Sequence, residues 1–181
     1  MASPTATDPL KAYVRDVPDF PKPGILFRDI TPLLSHADAF AGAIRRMGDA
    51  LQMLEDGRPI AKIVGIEARG FIFGAALAHH SGKGFIPIRK PGKLPRKTNS
   101  RRFNLEYGFD ELHLHDGDLT GEDSVIIVDD VLATGGTAQA AVELVQSTGA
   151  HVTGLLFCIE LTGLSGRKKL AGIPVQSILS Y

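Results

Sequence analysis

Several features are scarce in this sequence of 181 residues, and each absence excludes a class of protein. Cys158 is the single cysteine, so no disulfide can form within the chain, and we expect a reducing, cytoplasmic environment. The longest uninterrupted apolar run, residues 70–78, is far shorter than the roughly 20 residues that a transmembrane helix needs. The first residues show no basic segment followed by an apolar one, so we expect no secretory signal.

Excess charge and several catalytic motifs are also missing. The 20 basic and 20 acidic side chains cancel, which gives no general attraction to nucleic acid or to an anionic membrane, and we expect neither as a partner. The sequence has no zinc-binding Cys/His framework and no H-E-x-x-H, G-x-S-x-G or G-x-G-x-x-G motif. Zinc hydrolases, nucleophile-elbow esterases and dinucleotide enzymes are therefore disfavoured, and any site for an anion must be local.

Apolar runs of strand length alternate with segments of helical period along the whole chain. The predicted strands are 61–66, 84–88, 112–114, 124–128, 152–159 and 175–179. The predicted helices are one that begins at a Ser35/Asp38 capping box and runs to about residue 55, then 71–80, 138–145 and 164–170. This order predicts a single α/β domain over residues 1–181, with a mostly parallel central sheet flanked by helices. We expect residues 1–12 to be disordered.

The most informative segment is residues 125–137, a β-branched strand that ends in two acids and a small-residue turn before a helix. Ligands bind at the carboxyl ends of parallel strands, and a helix N-terminus offers N–H groups to an anion. The glycines and threonines of 134–137 therefore predict a phosphate site, and Asp129 and Asp130 could accept hydrogen bonds from sugar hydroxyls. In the alternative interpretation, the acids only cap the helix and the glycines only make a turn.

The string Asp-Asp-x-x-x-Thr-Gly-Gly-Thr resembles the phosphoribosyl pyrophosphate motif of the type I phosphoribosyltransferases. Other segments are similar to the adenine-specific members of that family: Phe20-Pro21-x-Pro-Gly24, Phe27-Arg28-Asp29-Ile30-Thr31-Pro32, Gly65-Ile66-Glu67-Ala68-Arg69-Gly70-Phe71, Arg89-Lys90-x-Gly-Lys93-Leu94-Pro95, Leu105-Glu106-Tyr107-Gly108 and Glu160-Leu161-Thr162. The resemblance implies the type I phosphoribosyltransferase fold, in which residues 13–34 form a small N-terminal hood and residues 89–108 form a flexible catalytic loop. It also implies a cytoplasmic homodimer, a pentosyltransferase that makes AMP and pyrophosphate from adenine and phosphoribosyl pyrophosphate in purine salvage.

The same resemblance implies the site residues. The base would lie near Phe27, Arg28 and Leu161. The pyrophosphate would be bound by Glu67, Ala68, Arg69, Lys90 and Lys93, and the ribose and its phosphate by Asp129, Asp130, Ala133, Thr134, Gly135, Gly136 and Thr137. Arg69 would also be catalytic. Mg²⁺ would be held mainly by substrate phosphates, with no direct protein ligand.

Residues 89–104 show little periodicity and contain seven basic side chains and no acid. A solvated loop or a nucleic-acid patch would share this composition, but the eight acids between residues 110 and 130 favour a mobile cationic lid over a pyrophosphate. By resemblance, Glu106 handles the purine proton and Tyr107 helps to order the closed lid, the alternative being that they only anchor the loop.

Two other functions are compatible with these motifs: phosphoribosyl transfer to another purine, and a non-catalytic regulator on the same fold that senses a nucleotide. A regulator would ordinarily carry an effector or DNA-binding module, and only about a dozen residues precede the matched region.

Overall fold

The computed structural model describes residues 8–55, 57–104 and 108–181, and the chain divides into two compact units, Met1–Arg45 and Arg46–Tyr181. The first unit contains a short antiparallel hairpin and the beginning of a long helix. Its elements are a 3-10 turn at Pro9–Tyr13, strand β1 (Arg15–Pro18), strand β2 (Leu26–Asp29), helix α1 (Thr31–Ser35) and the start of helix α2 (Ala37–Leu54).

Two predictions for this unit are wrong. The expected disorder of residues 1–12 is wrong for residues 9–12, whereas residues 1–7 lie outside the described residues. Pro9–Tyr13 forms a 3-10 turn because the Asp8 carboxylate accepts the N–H of Leu10 at 3.0 Å and Leu10 is buried. Ser35 does not cap the long helix, since its hydroxyl donates within α1. Instead, His36 Nδ1 accepts the N–H of Ala39 in the first turn of α2, at 3.4 Å.

The second unit is built on a five-stranded sheet in which all neighbours are parallel, in the order β4-β3-β7-β8-β9. Its elements are β3 (Lys62–Ile66), helix α3 (Arg69–Ser81), β4 (Gly84–Ile88), β5 (Thr98–Asn104), β6 (Phe109–His115), β7 (Ser124–Leu132), helix α4 (Gly136–Gln146), β8 (His151–Glu160) and β9 (Val175–Ser180), with 3-10 turns at Thr162–Leu164 and Gly166–Leu170. The predicted α/β fold with a parallel sheet flanked by helices is confirmed.

Alternation along the central strands explains why helices cover both faces of the sheet. Val64 and Ile127 belong to the same buried cluster as the inner residues of α4. Their neighbours Ile63 and Ile126 are equally buried but point to the opposite face, because successive strand side chains alternate. Helix α3 packs against β3, β4 and β7. Within residues 8–55, 57–104 and 108–181, no helix combines the length and apolar character that a membrane span requires.

Three segments of this unit differ from the sequence prediction. In place of the helix predicted over 164–170 there are two 3-10 turns, Thr162–Leu164 and Gly166–Leu170, because Ser165 between them adopts a left-handed conformation. Strand β7 does not end at Val128 but continues through both acids to Leu132, because β8 pairs with it up to the Leu132–Glu160 position. Irregular loop was expected over 89–104, but β5 forms a regular antiparallel hairpin with β6. The charged side chains of β5, Arg101 and Arg102, pair with acids rather than pack in a core, so the strand carries no hydrophobic alternation for a sequence pattern to show.

Candidate active site

Two strand-to-helix connections meet at the carboxyl edge of the sheet. Because β3 and β7 are adjacent and parallel, the loop before α3 lies beside the turn before α4. Gly70, in the first turn of α3, makes the approach possible: a Cβ there would lie 2.8 Å from both the Asp129 Oδ1 atom and the Val128 carbonyl oxygen. Such distances leave no room for any side chain, so glycine is required at this position.

The turn before α4 encloses a space suited to an anion. A cavity of about 80 Å³ is lined by Asp129 and residues 131–138. Gly135 has a φ of +80°, and a Cβ there would lie 2.5 Å from the carbonyl oxygen of Gly166. Helix α4 begins directly after it, so the first N–H groups of the helix and the positive end of its dipole face the cavity. The predicted phosphate residues Ala133, Thr134, Gly135, Gly136 and Thr137 thus lie together around one cavity.

The two acids of the motif are largely withdrawn from water. Burial raises the pKa of Asp129 well above its usual value, and the neighbouring charge of Asp130 raises it further. Burial also raises the pKa of Asp130, although the Arg69 guanidinium opposes the shift, with Arg69 Nε 2.8 Å from Asp130 Oδ2. Ionised carboxylates in this environment are stabilised by hydrogen-bond donors, which a ribose hydroxyl pair would supply.

Sequence reasoning missed Lys169. In the structure its Nζ lies 3.8 Å from the position that a Cβ would occupy at Gly136, beside the phosphate-sized cavity. The sequence signal was the basic run 167–169, but it does not say which residue reaches the turn. Arg167, for example, is used elsewhere, because its guanidinium donates to both Glu160 oxygens at 2.6 Å.

The Glu67 carboxylate is held by protein partners. Arg89 donates from Nη2 to Oε1 at 2.9 Å and from Nε to Oε2 at 3.2 Å, and the Lys90 N–H donates to Oε2 at 2.9 Å. The hydrogen bonds from Arg89 lower the pKa of Glu67 against the opposing effect of burial, so the carboxylate is ionised at neutral pH.

The basic segment is neutralised by nearby acids in the structure. Six of its seven basic side chains form ion pairs: Arg89–Glu67, Lys90–Asp110, Arg96–Asp118, Lys97–Asp116, Arg101–Glu143 and Arg102–Glu111. The seventh, Lys93, is exposed and lowers the pKa of Glu67 through its charge. Glu106 and Tyr107, the predicted catalytic residues at the end of this segment, lie outside the described residues.

Comparison with known proteins agrees with this geometry. Residues 34–170 match the model of the phosphoribosyl transferase domain. The chain is 50% identical to the adenine phosphoribosyltransferase of Thermotoga neapolitana and 52% identical to that of Carboxydothermus hydrogenoformans, over 95% of this chain and 99% of each relative. The chain belongs to the adenine phosphoribosyltransferase family.

Solved structures of the adenine phosphoribosyltransferase family have the same fold. The crystal structure of the enzyme from Thermoanaerobacter pseudethanolicus superposes with a TM-score of 0.90 at 48% identity, covering 95% of this chain and 98% of that one. The Saccharomyces cerevisiae enzyme, complexed with adenine and an imino-altritol bisphosphate, superposes with a TM-score of 0.88 at 39% identity, covering 93% and 95% of the two chains.

Three residues that the adenine phosphoribosyltransferase resemblance assigns to the base lie in different parts of the chain. Phe27 is in the first unit, where its ring packs edge-on against Phe20 at 5.1 Å, and Arg28 forms an ion pair with Asp16 there. Leu161 is in the second unit, and its N–H donates to the carbonyl of Leu132 at the end of β7, at 2.9 Å. Their contact with a base stays a prediction.

The acids of this adenine phosphoribosyltransferase fold also bear on the metal. In the described part of the chain, no three His, Cys, Asp or Glu side chains form a cluster that would hold a metal ion. Asp129 nevertheless lines the cavity, and the adjacent Asp130 carboxylate pairs with Arg69. One or two carboxylates together with substrate phosphates are a usual environment for Mg²⁺, so the residues present fit an ion that arrives with the substrate.

Proposed function

We propose that this chain transfers the 5-phosphoribosyl group of phosphoribosyl pyrophosphate to N9 of adenine and releases AMP and pyrophosphate for purine salvage. Membership of the adenine phosphoribosyltransferase family supports the reaction. The observation that carries the proposal is that Asp129 and the α4 turn line one cavity, while the Arg69 loop, residues 67–71, approaches Asp129 through Gly70 and pairs with Asp130 through Arg69. The 5-phosphate, ribose and pyrophosphate follow one another along the substrate in the same order as the α4 turn, the two acids and the Arg69 loop.

The chain's own groups have distinct parts in this reaction. The α4 N-terminus and the turn 133–137 bind the 5-phosphate through backbone N–H groups and threonine hydroxyls. Asp129 and Asp130 accept hydrogen bonds from the ribose hydroxyls. As pyrophosphate leaves, positive charge builds on the ribose ring, and the two carboxylates stabilise it. Arg69, beside Asp130, offers a fixed fork of donors to the departing phosphate oxygens, with Ala68 in the same loop.

The predicted lid residues complete the site. Lys90 and Lys93 add positive charge over the pyrophosphate, and Glu106, with Tyr107 beside it, manages the proton of the incoming purine. Phe27 and Leu161 cover the ring faces, and the backbone of Arg28 reads the purine edge. One residue's C=O and N–H match the amino donor and ring acceptor of adenine, whereas a 6-oxo purine presents the opposite pattern.

The remaining features of the proposal rest on the family resemblance and on the composition. Residues 1–181 act as a single phosphoribosyltransferase domain in which residues 13–34 form the hood. Mg²⁺ would be held mainly by the substrate phosphates, with Asp129 and Asp130 as the candidate acids of the site, and would neutralise charge on the pyrophosphate. The protein works as a cytoplasmic homodimer, and its partners are small molecules rather than nucleic acid or membrane. The single cysteine and the balanced charge are compatible with that location.

A spectrophotometric turnover assay tests the proposal. Phosphoribosyl pyrophosphate and magnesium are supplied with adenine, hypoxanthine, guanine or xanthine separately, and the best case is repeated with Glu106→Gln. We expect AMP formation with adenine only and a loss of turnover in the variant much larger than its loss of phosphoribosyl pyrophosphate binding. Turnover of a 6-oxo purine would contradict the proposed base. Tight binding without turnover on any base would contradict catalysis and favour a nucleotide sensor.

A further inference from the structure

Arg89 lies at the junction of three segments of the second unit. Its guanidinium forms the two-pronged bond with the Glu67 carboxylate, and Nη1 donates to the Lys93 carbonyl at 3.1 Å. Its backbone N–H and C=O exchange hydrogen bonds with His113 of β6 at 2.9 and 2.8 Å. A single residue therefore ties the loop before α3 to the basic segment and to the hairpin.

The contacts of Arg89 lie on both sides of Arg69 within the Arg69 loop, residues 67–71, which leads into the first turn of α3. Glu67 precedes Arg69 by two residues, and Phe71 follows it by two. The Arg89 guanidinium lies 5.8 Å from the centre of the Phe71 ring, which packs edge-on against Phe85. Both ends of the segment 67–71 are thus fixed against the same side chain, while the Arg69 side chain within it reaches Asp130.

We propose that Arg89 is a positioning residue, which acts through the Glu67 carboxylate and the Phe71 ring to hold the Arg69 loop in place for the leaving pyrophosphate. This inference rests on the proposed function and reassigns Glu67, whose two oxygens already accept hydrogen bonds within the protein, from substrate contact to loop support. A planar fork with fixed donor directions suits this task, whereas a lysine would supply only a point charge.

A double-mutant cycle separates positioning from direct contact. Arg89→Gln, Glu67→Gln and the double variant are compared for kcat and for KM of phosphoribosyl pyrophosphate. If both residues act through their shared bond, each single variant loses about tenfold to a hundredfold in kcat/KM, and the double variant loses no more than the worse single one. Losses that multiply in the double variant would contradict the inference, because they would mean that each side chain acts independently. Arg89→Lys is expected to recover little of the kcat/KM that Arg89→Gln loses. Full recovery would contradict the inference, because it would show that the charge suffices without the fork of donors.

A second measurement does not depend on turnover. Hydrogen exchange of peptides that cover residues 67–71 should accelerate in Arg89→Gln, because the loop loses its support. Lys62→Gln is the matched control, since Lys62 pairs with Asp123 at the opposite edge of the sheet with similar exposure, 30% and 13% for that pair against 31% and 15% for Arg89 and Glu67. Unchanged exchange in Arg89→Gln, or equal acceleration in the control, would overturn the inference. An inactive native protein would contradict the proposed function, and the hydrogen-exchange comparison would still decide whether Arg89 supports the loop.

Discussion

Arg69 Nε lies 2.8 Å from Asp130 Oδ2, and this ion pair joins the two connections that form the candidate active site. Arg69 is the first residue of α3, and Asp130 lies near the end of β7. The pair therefore connects the segment that follows β3 to the neighbouring strand β7. The acid is buried, whereas the arginine side chain is 39% exposed. The pair therefore links the proposed ribose and pyrophosphate positions.

Removing this link should weaken binding of the sugar substrate. We expect Arg69→Gln to raise KM for phosphoribosyl pyrophosphate about tenfold or more, because a charge-assisted hydrogen bond contributes about 1.5–3 kcal/mol. Calorimetric titration of phosphoribosyl pyrophosphate alone checks the result without turnover. Unchanged affinity for phosphoribosyl pyrophosphate would show that Arg69 only holds Asp130 in place.

Replacing Asp129 should stabilise the protein at neutral pH while it lowers activity. Because the folded-state pKa of Asp129 is raised, its contribution to stability is fully present below the ordinary aspartate pKa of about 4 and is lost as pH rises through the raised value. Asp129→Asn avoids that loss. We expect its free energy of unfolding to exceed that of the native protein by about 0.5–2 kcal/mol at pH 8, with no advantage at pH 4.

Asp123→Asn is the control with the opposite sign. Burial raises the pKa of Asp123, but the ion pair with Lys62 and the hydrogen bonds from Thr120 outweigh burial and lower it overall. Its contribution to stability is therefore present above the ordinary aspartate pKa and is lost as pH falls through the lowered value. Thermal unfolding from about pH 2 to about pH 8 measures both variants and covers the range in which Asp123 loses its contribution. An Asp129→Asn protein less stable than the native one at pH 8 would contradict the argument.

Gly135 should tolerate no side chain, for two separable reasons. Its φ of +80° disfavours other residues, and a Cβ would lie 2.5 Å from the Gly166 carbonyl oxygen. Gly172 has a similar φ of +88° with nothing within 4 Å of a Cβ, so Gly172→Ala measures the backbone cost alone, about 1 kcal/mol. We expect Gly135→Ala to lose clearly more stability than this in denaturant unfolding and to raise KM for phosphoribosyl pyrophosphate. Equal losses for the two variants would mean that the turn relaxes at little cost.

Lys169 should contribute to binding of the 5-phosphate. We expect Lys169→Met to raise KM for phosphoribosyl pyrophosphate about tenfold, which corresponds to about 1.4 kcal/mol, and to make that KM less sensitive to salt. Lys168→Met removes the same charge from the adjacent exposed position and serves as the control. Steady-state assays at low and high salt distinguish the two. Equal effects of both variants would mean that the general charge of the segment, rather than the position of Lys169, matters.

The sequence patterns succeeded where one local signal decided the structure. The β-branched run before Asp129 predicts a buried strand, and the glycines after it predict a turn that leads into a helix, and both are present. The patterns failed where pairing with another strand decided the structure. Strand β5 exists because β6 pairs with it, and the end of β7 is set by β8, so neither boundary is visible in its own residues.

By itself, the sequence determined the α/β alternation and the glycine turn before α4, since these depend on periodicity and on glycine at fixed positions. Only the tertiary structure decided which charges meet. Arg89 and Glu67 are 22 residues apart, and Lys169 is still farther from the turn at Gly136 that it approaches. Both relationships arise because parallel strands bring the ends of separate segments to one edge of the sheet, and the distance between side chains there depends on packing rather than on spacing along the chain.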